Sequence, residues 1–207
     1  ITNIYGASNL AFYKPKDSSN IISPVVNIHH IKAGSAIAGN VYGGGKGAKS
    51  IFNTNGTIKI DSSEMGRCIS NPRVNLGDEN AEHFVKIHGN VYGGGALSYV
   101  KGYTEVNMFN ANDTAIRTVV EGSIFGAGQG YVGDLQAARI TDSAVVNLIG
   151  GRVETNVYGG GELAQVKGDA KVRIQQGNAI IAGNLFGAGK GDKADVAYGG
   201  AKNTLVN

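Results

Sequence analysis

Short stretches in which apolar and polar residues alternate recur along the chain: Val26-Asn27-Ile28, Ile58-Lys59-Ile60, Val106-Asn107-Met108, Val146-Asn147-Leu148 and Val172-Arg173-Ile174. A period of two sends one side chain inward and the next outward, the mark of a strand buried on one face. A weaker strand signal follows some of them, as in Ile149-Gly150-Gly151-Arg152-Val153 and Ala179-Ile180-Ile181. No segment of about ten or more residues carries a capped apolar stripe of period 3.6, so very little helix is expected.

A second pattern lies between these strands. Gly39-Asn40-Val41-Tyr42-Gly43-Gly44-Gly45 recurs unchanged at Gly89 to Gly95, and Thr155 to Gly161 reads TNVYGGG. Gly122 to Gly128 reads GSIFGAG and Gly183 to Gly189 reads GNLFGAG. Asn3-Ile4-Tyr5-Gly6-Ala7-Ser8 reads as a degenerate first copy, and Val196-Ala197-Tyr198-Gly199-Gly200 as a possible last one. The aromatics at Tyr5, Tyr42, Tyr92, Phe125, Tyr158 and Phe186 are 37, 50, 33, 33 and 28 residues apart.

Three short strands per repeat of roughly 30 residues cannot bury a core alone, but stacked repeats can. The expected fold is therefore all-β: one parallel β-solenoid (β-helix) spanning 1–207, right-handed by the general preference for parallel crossovers. Equivalent positions then stack about 4.8 Å apart. Tyr42, Tyr92, Phe125, Tyr158 and Phe186 should form an aromatic ladder. Asn40, Asn90, Asn156 and Asn184, with Ser123 as a shorter substitute, should form a hydrogen-bonded ladder at a turn. The glycines that follow allow close approach of neighbouring coils.

These boxes and alternating strands resemble the Gly-rich NVYGGG β-solenoid repeats of very large surface proteins of gut and related bacteria, often grouped with adhesins. The likeness runs from Asn3 to about Gly191. It implies an exported, cell-surface or extracellular structural module, and it carries over no catalytic or ligand residue.

Composition narrows the alternatives. Glycine supplies 33 of 207 residues, about twice the usual share, without the triplet period of collagen. Hydrophobic residues make up 42%, too many for a disordered linker. No apolar run is long enough for a membrane-spanning helix. The formal charge is +3 and the basic residues are dispersed along the sequence, which argues against nucleic acid as a partner. The chain opens on Ile1 and is read as an excerpt of a longer protein.

The 50-residue gap holds the main departure, read as an inserted loop at about 61–83 (DSSEMGRCISNPRVNLGDENAEH). It is expected at the surface, with Glu64, Arg67, Arg73, Glu79 and Glu82 as its candidate binding residues. Tyr13 to Asn20 reads as a solvated turn. Cys68 cannot form an internal disulfide, being the one cysteine. A buried thiol is expected, with pairing outside the excerpt as the alternative.

Other motifs fail on context. Gly43 to Ser50 nears a phosphate-binding loop, but Ala48 replaces its second glycine and no helix pattern follows. Gly187 to Asp195 faintly matches a calcium-binding nonapeptide roll but lacks repeated Asp in the other copies. His29, His30, His83 and His88 read as surface histidines, although His83 and His88 lie near Glu79 and Glu82; no metal site and no cofactor is assigned. A polysaccharide-cleaving enzyme would need paired carboxylates on adjacent coils. Asp61, Glu64, Asp78, Glu79 and Glu82 are candidates, but no spacing forces them together.

The expected function is a rigid stalk or adhesive segment of a bacterial surface or extracellular protein, not an enzyme. The alternative is a β-helix protein that binds or cleaves polysaccharide. A glycan binder would group aromatics such as Tyr13, Tyr99, Tyr103 and Tyr131 on one face. Expected partners are neighbouring coils of the same chain, with glycans or host-surface proteins beyond them. Asn203-Thr204-Leu205-Val206 reads as a further strand, so end-to-end self-association is also expected.

Overall fold

The computed structural model describes residues 1–15, 22–111, 115–175 and 177–207, so residues 16–20 of the expected turn at Tyr13 to Asn20 lie outside it. The described residues are all-β, without helix. Each box supplies one two-residue strand to a first, all-parallel sheet: β1 (Ile4–Tyr5), β3 (Val41–Tyr42), β8 (Val91–Tyr92), β11 (Ile124–Phe125), β14 (Val157–Tyr158) and β17 (Leu185–Phe186), neighbours in that order. The alternating segments build a second parallel sheet from β2 (Val25–Ile28), β6 (Arg73–Leu76), β9 (Thr104–Met108), β12 (Ala144–Leu148), β15 (Asp169–Ile174) and β18 (Asn203–Val206). A third contains β7 (Val85–Ile87), β10 (Thr118–Val120), β13 (Arg152–Val153) and β16 (Ile180–Ile181). The chain thus visits the sheets in fixed rotation, each repeat laying its strands beside those of the one before.

Inward-facing aliphatic residues of all three sheets form the main core, among them Val41, Val74, Leu76, Ile87, Val91, Val106, Met108, Ile124, Val146 and Leu148. The aromatics lie in a separate column, Tyr5–Tyr42–Tyr92–Phe125–Tyr158–Phe186. Ring centroids there are 4.7–5.0 Å apart and planes are within 10°. Parallel strands spaced at about 4.8 Å impose that separation, so one aromatic per box stacks without adjustment. Beside it, each asparagine carbonyl accepts the next box's backbone N–H: Asn3 from Asn40 (2.7 Å), Asn40 from Asn90 (2.8 Å), Asn90 from Ser123 (2.7 Å) and Asn156 from Asn184 (2.8 Å). Ser123 reaches Asn156 N at 3.4 Å, as expected of a shorter side chain.

Between the first and second sheets the chain turns through two corners, each marked by single parallel bridges. One column is Asn9–Lys46–Ala96–Gln129–Glu162–Lys190 and the other Tyr13–Cys68–Val100–Ile140–Val166. These bridges relocate the insertion. Ala96 is joined to Val100 by three residues, but Lys46 is joined to Cys68 by the whole of 47–67. The extra residues therefore lie at 47–67, not 61–83. Residues 68–83 belong to the ordinary repeat, because Val74-Asn75-Leu76 pairs in register with Val26-Asn27-Ile28 and Val106-Asn107-Met108. Ile58-Lys59-Ile60 is not one of that series. It lies in an antiparallel hairpin, β4 (Ile51–Phe52) with β5 (Ile58–Ile60), that projects with all four apolar side chains exposed.

Long and short corners alternate. Short ones follow Asn9, Ala96 and Glu162, where Leu10, Leu97 and Leu163 adopt left-handed φ of 55–60° to turn the chain tightly. Long ones occupy 47–67, 130–139 and 191–200. The long corners meet across the intervening short ones. Asp134 accepts hydrogen bonds from Ser50 Oγ (2.8 Å), Ser62 Oγ (2.6 Å), Tyr131 OH (3.3 Å) and Gln136 N (2.8 Å). Burial opposes its ionisation, but these donors prevail and hold its pKa below the ordinary aspartate value. Tyr198 OH accepts from Gly133 N at 2.6 Å, so Tyr198 locks two corners together and does not extend the aromatic column. Asp134→Ala is expected to loosen 47–67 selectively. Proteolysis and hydrogen exchange in that corner should rise several-fold with little change in the global unfolding midpoint, and protection unchanged at 47–67 would show that Asp134 does not hold it.

Cys68 is fully buried, a free thiol whose Sγ lies 3.4 Å from Ser70 Oγ. Burial pushes its pKa up, which keeps it protonated and unreactive.

Candidate functional site

The outer face of the second sheet carries a second asparagine ladder. Alternation buries Val74, Val106 and Val146 and turns Asn27, Asn75, Asn107 and Asn147 outward. Each amide nitrogen donates to the preceding carbonyl: Asn75 to Asn27 (2.7 Å), Asn107 to Asn75 (2.8 Å) and Asn147 to Asn107 (2.7 Å). Next to this ladder Arg73 Nε donates to Glu105 Oε2 at 2.7 Å. Beside the ends of β2, β6 and β9 lies an open depression of about 580 Å³. Arg73, Asn75 and Asn107 make its floor, and His29, Asp78, Glu79 and Phe109 its rim.

Histidines organise that rim. His83 Nδ1 and Asp78 Oδ2 are 2.7 Å apart, His29 Nδ1 lies 3.9 Å from the same oxygen, and the His30 ring packs against His83 at 5.0 Å, tilted by 31°. Desolvation opposes ionisation of Asp78, but hydrogen bonds from His83 and Asn80 N and the nearby imidazoles together outweigh it and hold its pKa below the ordinary value. His88 joins a different group, sharing Glu121 with Lys86.

The five candidate residues therefore do not form one cluster. Arg73 and Glu79 line the depression. Glu82 sits in the adjoining turn, where its N–H donates to Asn80 Oδ1. Glu64 and Arg67 pair with each other at 2.7 Å on the long corner at 47–67, with Arg67 over the Phe12 ring. The separation follows from the relocated insertion: within the 61–83 stretch, 61–67 is corner and 68–83 belongs to the ordinary repeat. The four tyrosines are each half-buried. Tyr13 OH donates to Ile22 O and Tyr131 OH to Asp134.

A third polar cluster escaped sequence reasoning. Tyr42 OH donates to Gln129 Oε1 at 2.6 Å, and Tyr92 OH to Glu162 Oε2. Gln129 Nε2 and Lys190 Nζ also donate to Glu162, at 3.2 and 2.9 Å. Burial raises the Tyr42 phenol to about 12 and pushes Tyr92 up further, with the Glu162 charge adding to both. Burial also opposes ionisation of Glu162, but Lys190, Tyr92 and Gln129 outweigh it and lower its pKa. A lowered folded-state pKa gives stability that is present above the ordinary carboxylate range and lost as pH falls towards the folded value. Glu162→Gln should thus cost about 1–3 kcal/mol near neutral pH. Its urea midpoint should converge on wild type as the pH falls through the lowered folded-state pKa; a constant gap would exclude the linkage.

Chemically, the depression offers amides, a guanidinium, carboxylates, imidazole and one aromatic ring for hydrogen bonding and stacking. Among the described residues no group of three or more His, Cys, Asp or Glu could hold a metal ion. Gly43 to Ser50 runs into the corner that carries the β4–β5 hairpin. Asp192 and Asp195 cap their own turns, accepting from Ala194 N and Ala197 N. No known protein family, no curated protein and no solved structure matches the chain.

Proposed function

We propose that the three parallel sheets are the sides of one β-solenoid, and that it serves as a rigid stalk or adhesive segment of a bacterial surface or extracellular protein. The observation that supports this is the fixed rotation of the chain among the sheets, with the aromatic column unbroken through six repeats. Such stacking gives length with stiffness, since each repeat touches only its neighbours. Among the described residues, β1, β2, β17 and β18 each keep one unpaired edge, and Phe186 at the end of the column is 43% exposed. In this reading neighbouring coils of the same chain cover those edges, or another copy does so end to end.

Cryo-electron microscopy should show one rod with strand layers about 4.8 Å apart along its axis. Antibodies against the chain should label intact bacterial cells. Sheets splayed into separate layers would overturn the solenoid, and labelling confined to lysed cells would overturn the surface location.

A further inference from the structure

Basic residues that are dispersed in sequence come together at the second corner. Cys68, Val100, Ile140 and Val166 bridge there with buried side chains, so the residues on either side of each point outward. The preceding column reads Phe12, Arg67, Tyr99, Arg139 and Gln165; the following one reads Lys14, Ile69, Lys101, Thr141 and Lys167, with Lys202 beyond. Arg67 lies over Phe12 at 4.6 Å and Arg139 over Tyr99 at 5.2 Å, so ring contacts hold both guanidiniums at the edge. Lys14, Lys101, Lys167 and Lys202 are exposed. Of the nearby acids, Glu64 pairs with Arg67 and leaves the lysines uncovered, Asp142 accepts from the N–H of Ser143, and Asp169 pairs with Lys171 and Asn203.

We infer that this edge binds a linear acidic polysaccharide. The inference deepens the adhesive reading above and rests on it. Lys14, Lys101 and Lys167 are each two strands apart, about 9.6 Å at the spacing of parallel strands. A straight row of cations at that interval suits an extended polymer with one carboxylate per disaccharide. Duplex nucleic acid carries a charge about every 1.7 Å, far denser than the row. The half-buried Tyr99 and the exposed Phe12 add ring surface beside the charges.

The test uses immobilised hyaluronan, which has one carboxylate per disaccharide, with neutral dextran and duplex DNA as comparisons. The whole chain should bind hyaluronan and not dextran. Lys101→Gln/Lys167→Gln should weaken binding about tenfold and flatten its salt dependence by about two charges. Lys59→Gln/Lys193→Gln, which removes the same charge elsewhere, should change it less than about twofold. All variants should keep the wild-type urea midpoint, and Lys101→Arg/Lys167→Arg should restore binding. Equal losses in the two glutamine variants would overturn the inference, as would no binding to hyaluronan or tighter binding to DNA at equal salt. None of these outcomes depends on cell labelling, so the surface reading stands or falls separately.

Discussion

Replacing Tyr92 by alanine is expected to cost about 3–5 kcal/mol, the usual figure for deleting a buried core aromatic. Tyr92 is fully buried and stacked on both faces, against Tyr42 at 4.8 Å and Phe125 at 5.0 Å. Alanine would leave a gap that cannot close, because backbone hydrogen bonds to the strands on either side fix the separation. It would also strip Glu162 of one of its three side-chain donors. Tyr92→Phe separates the two effects. It keeps the stack and loses only the phenol, so about 1–3 kcal/mol is expected. Phe186→Ala, at the exposed end of the column, should cost less than half as much as Tyr92→Ala. Urea denaturation of the three variants reads all of this, and equal losses at Tyr92 and Phe186 would show that the column is not a cooperative stack.

Gly126→Ala should be comparably damaging for a different reason. A Cβ on Gly126 would sit 2.2 Å from the carbonyl oxygen of Gly159 on the adjoining strand. Gly43, Gly93 and Gly159 face the same obstacle, at 2.2–2.4 Å from the oxygen of the next glycine in the column. The obstacle is backbone, so no rotamer relieves it, and the first sheet must open locally. A loss of about 3 kcal/mol or more is expected, at or beyond the upper end for overpacked sites. Gly56 provides the contrast: it has a left-handed φ of +80° but nothing within 4 Å. Gly56→Ala should therefore cost about 1–2 kcal/mol, the left-handed penalty alone. If Gly126→Ala proved no worse than Gly56→Ala, close approach would not be the reason for glycine in the boxes.

What the sequence disclosed depends on how each contact is distributed. The aromatic column and the asparagine rungs at Asn40, Asn90 and Asn156 were legible because one residue type serves one position in every repeat. The insertion was misplaced because Ile58-Lys59-Ile60 imitates the alternating strand, while the true rung, Val74-Asn75-Leu76, lies between polar flanks. Tyr198 imitates a box aromatic but closes a turn. The Tyr92–Glu162 and Ser50–Asp134 contacts were out of reach for another reason. They join repeats that are two apart through positions whose residue types vary, so no recurring letter marks them. The lysine edge combines both cases: a register invisible in the linear sequence gathers Lys14, Lys101 and Lys167, which recur at every second repeat.

The alternation of long and short corners has a genetic consequence. Gly39 to Gly45 and Gly89 to Gly95 are identical heptapeptides, natural points for unequal recombination between homologous stretches. Excising the material between them removes 47–67 together with the rest of its repeat, and leaves short corners on adjacent strands, where nothing collides. Excising the next repeat would set 47–67 directly against 130–139 and part Ser50 and Ser62 from the spacing at which they meet Asp134. Gain or loss in pairs keeps every long corner two strands from the next.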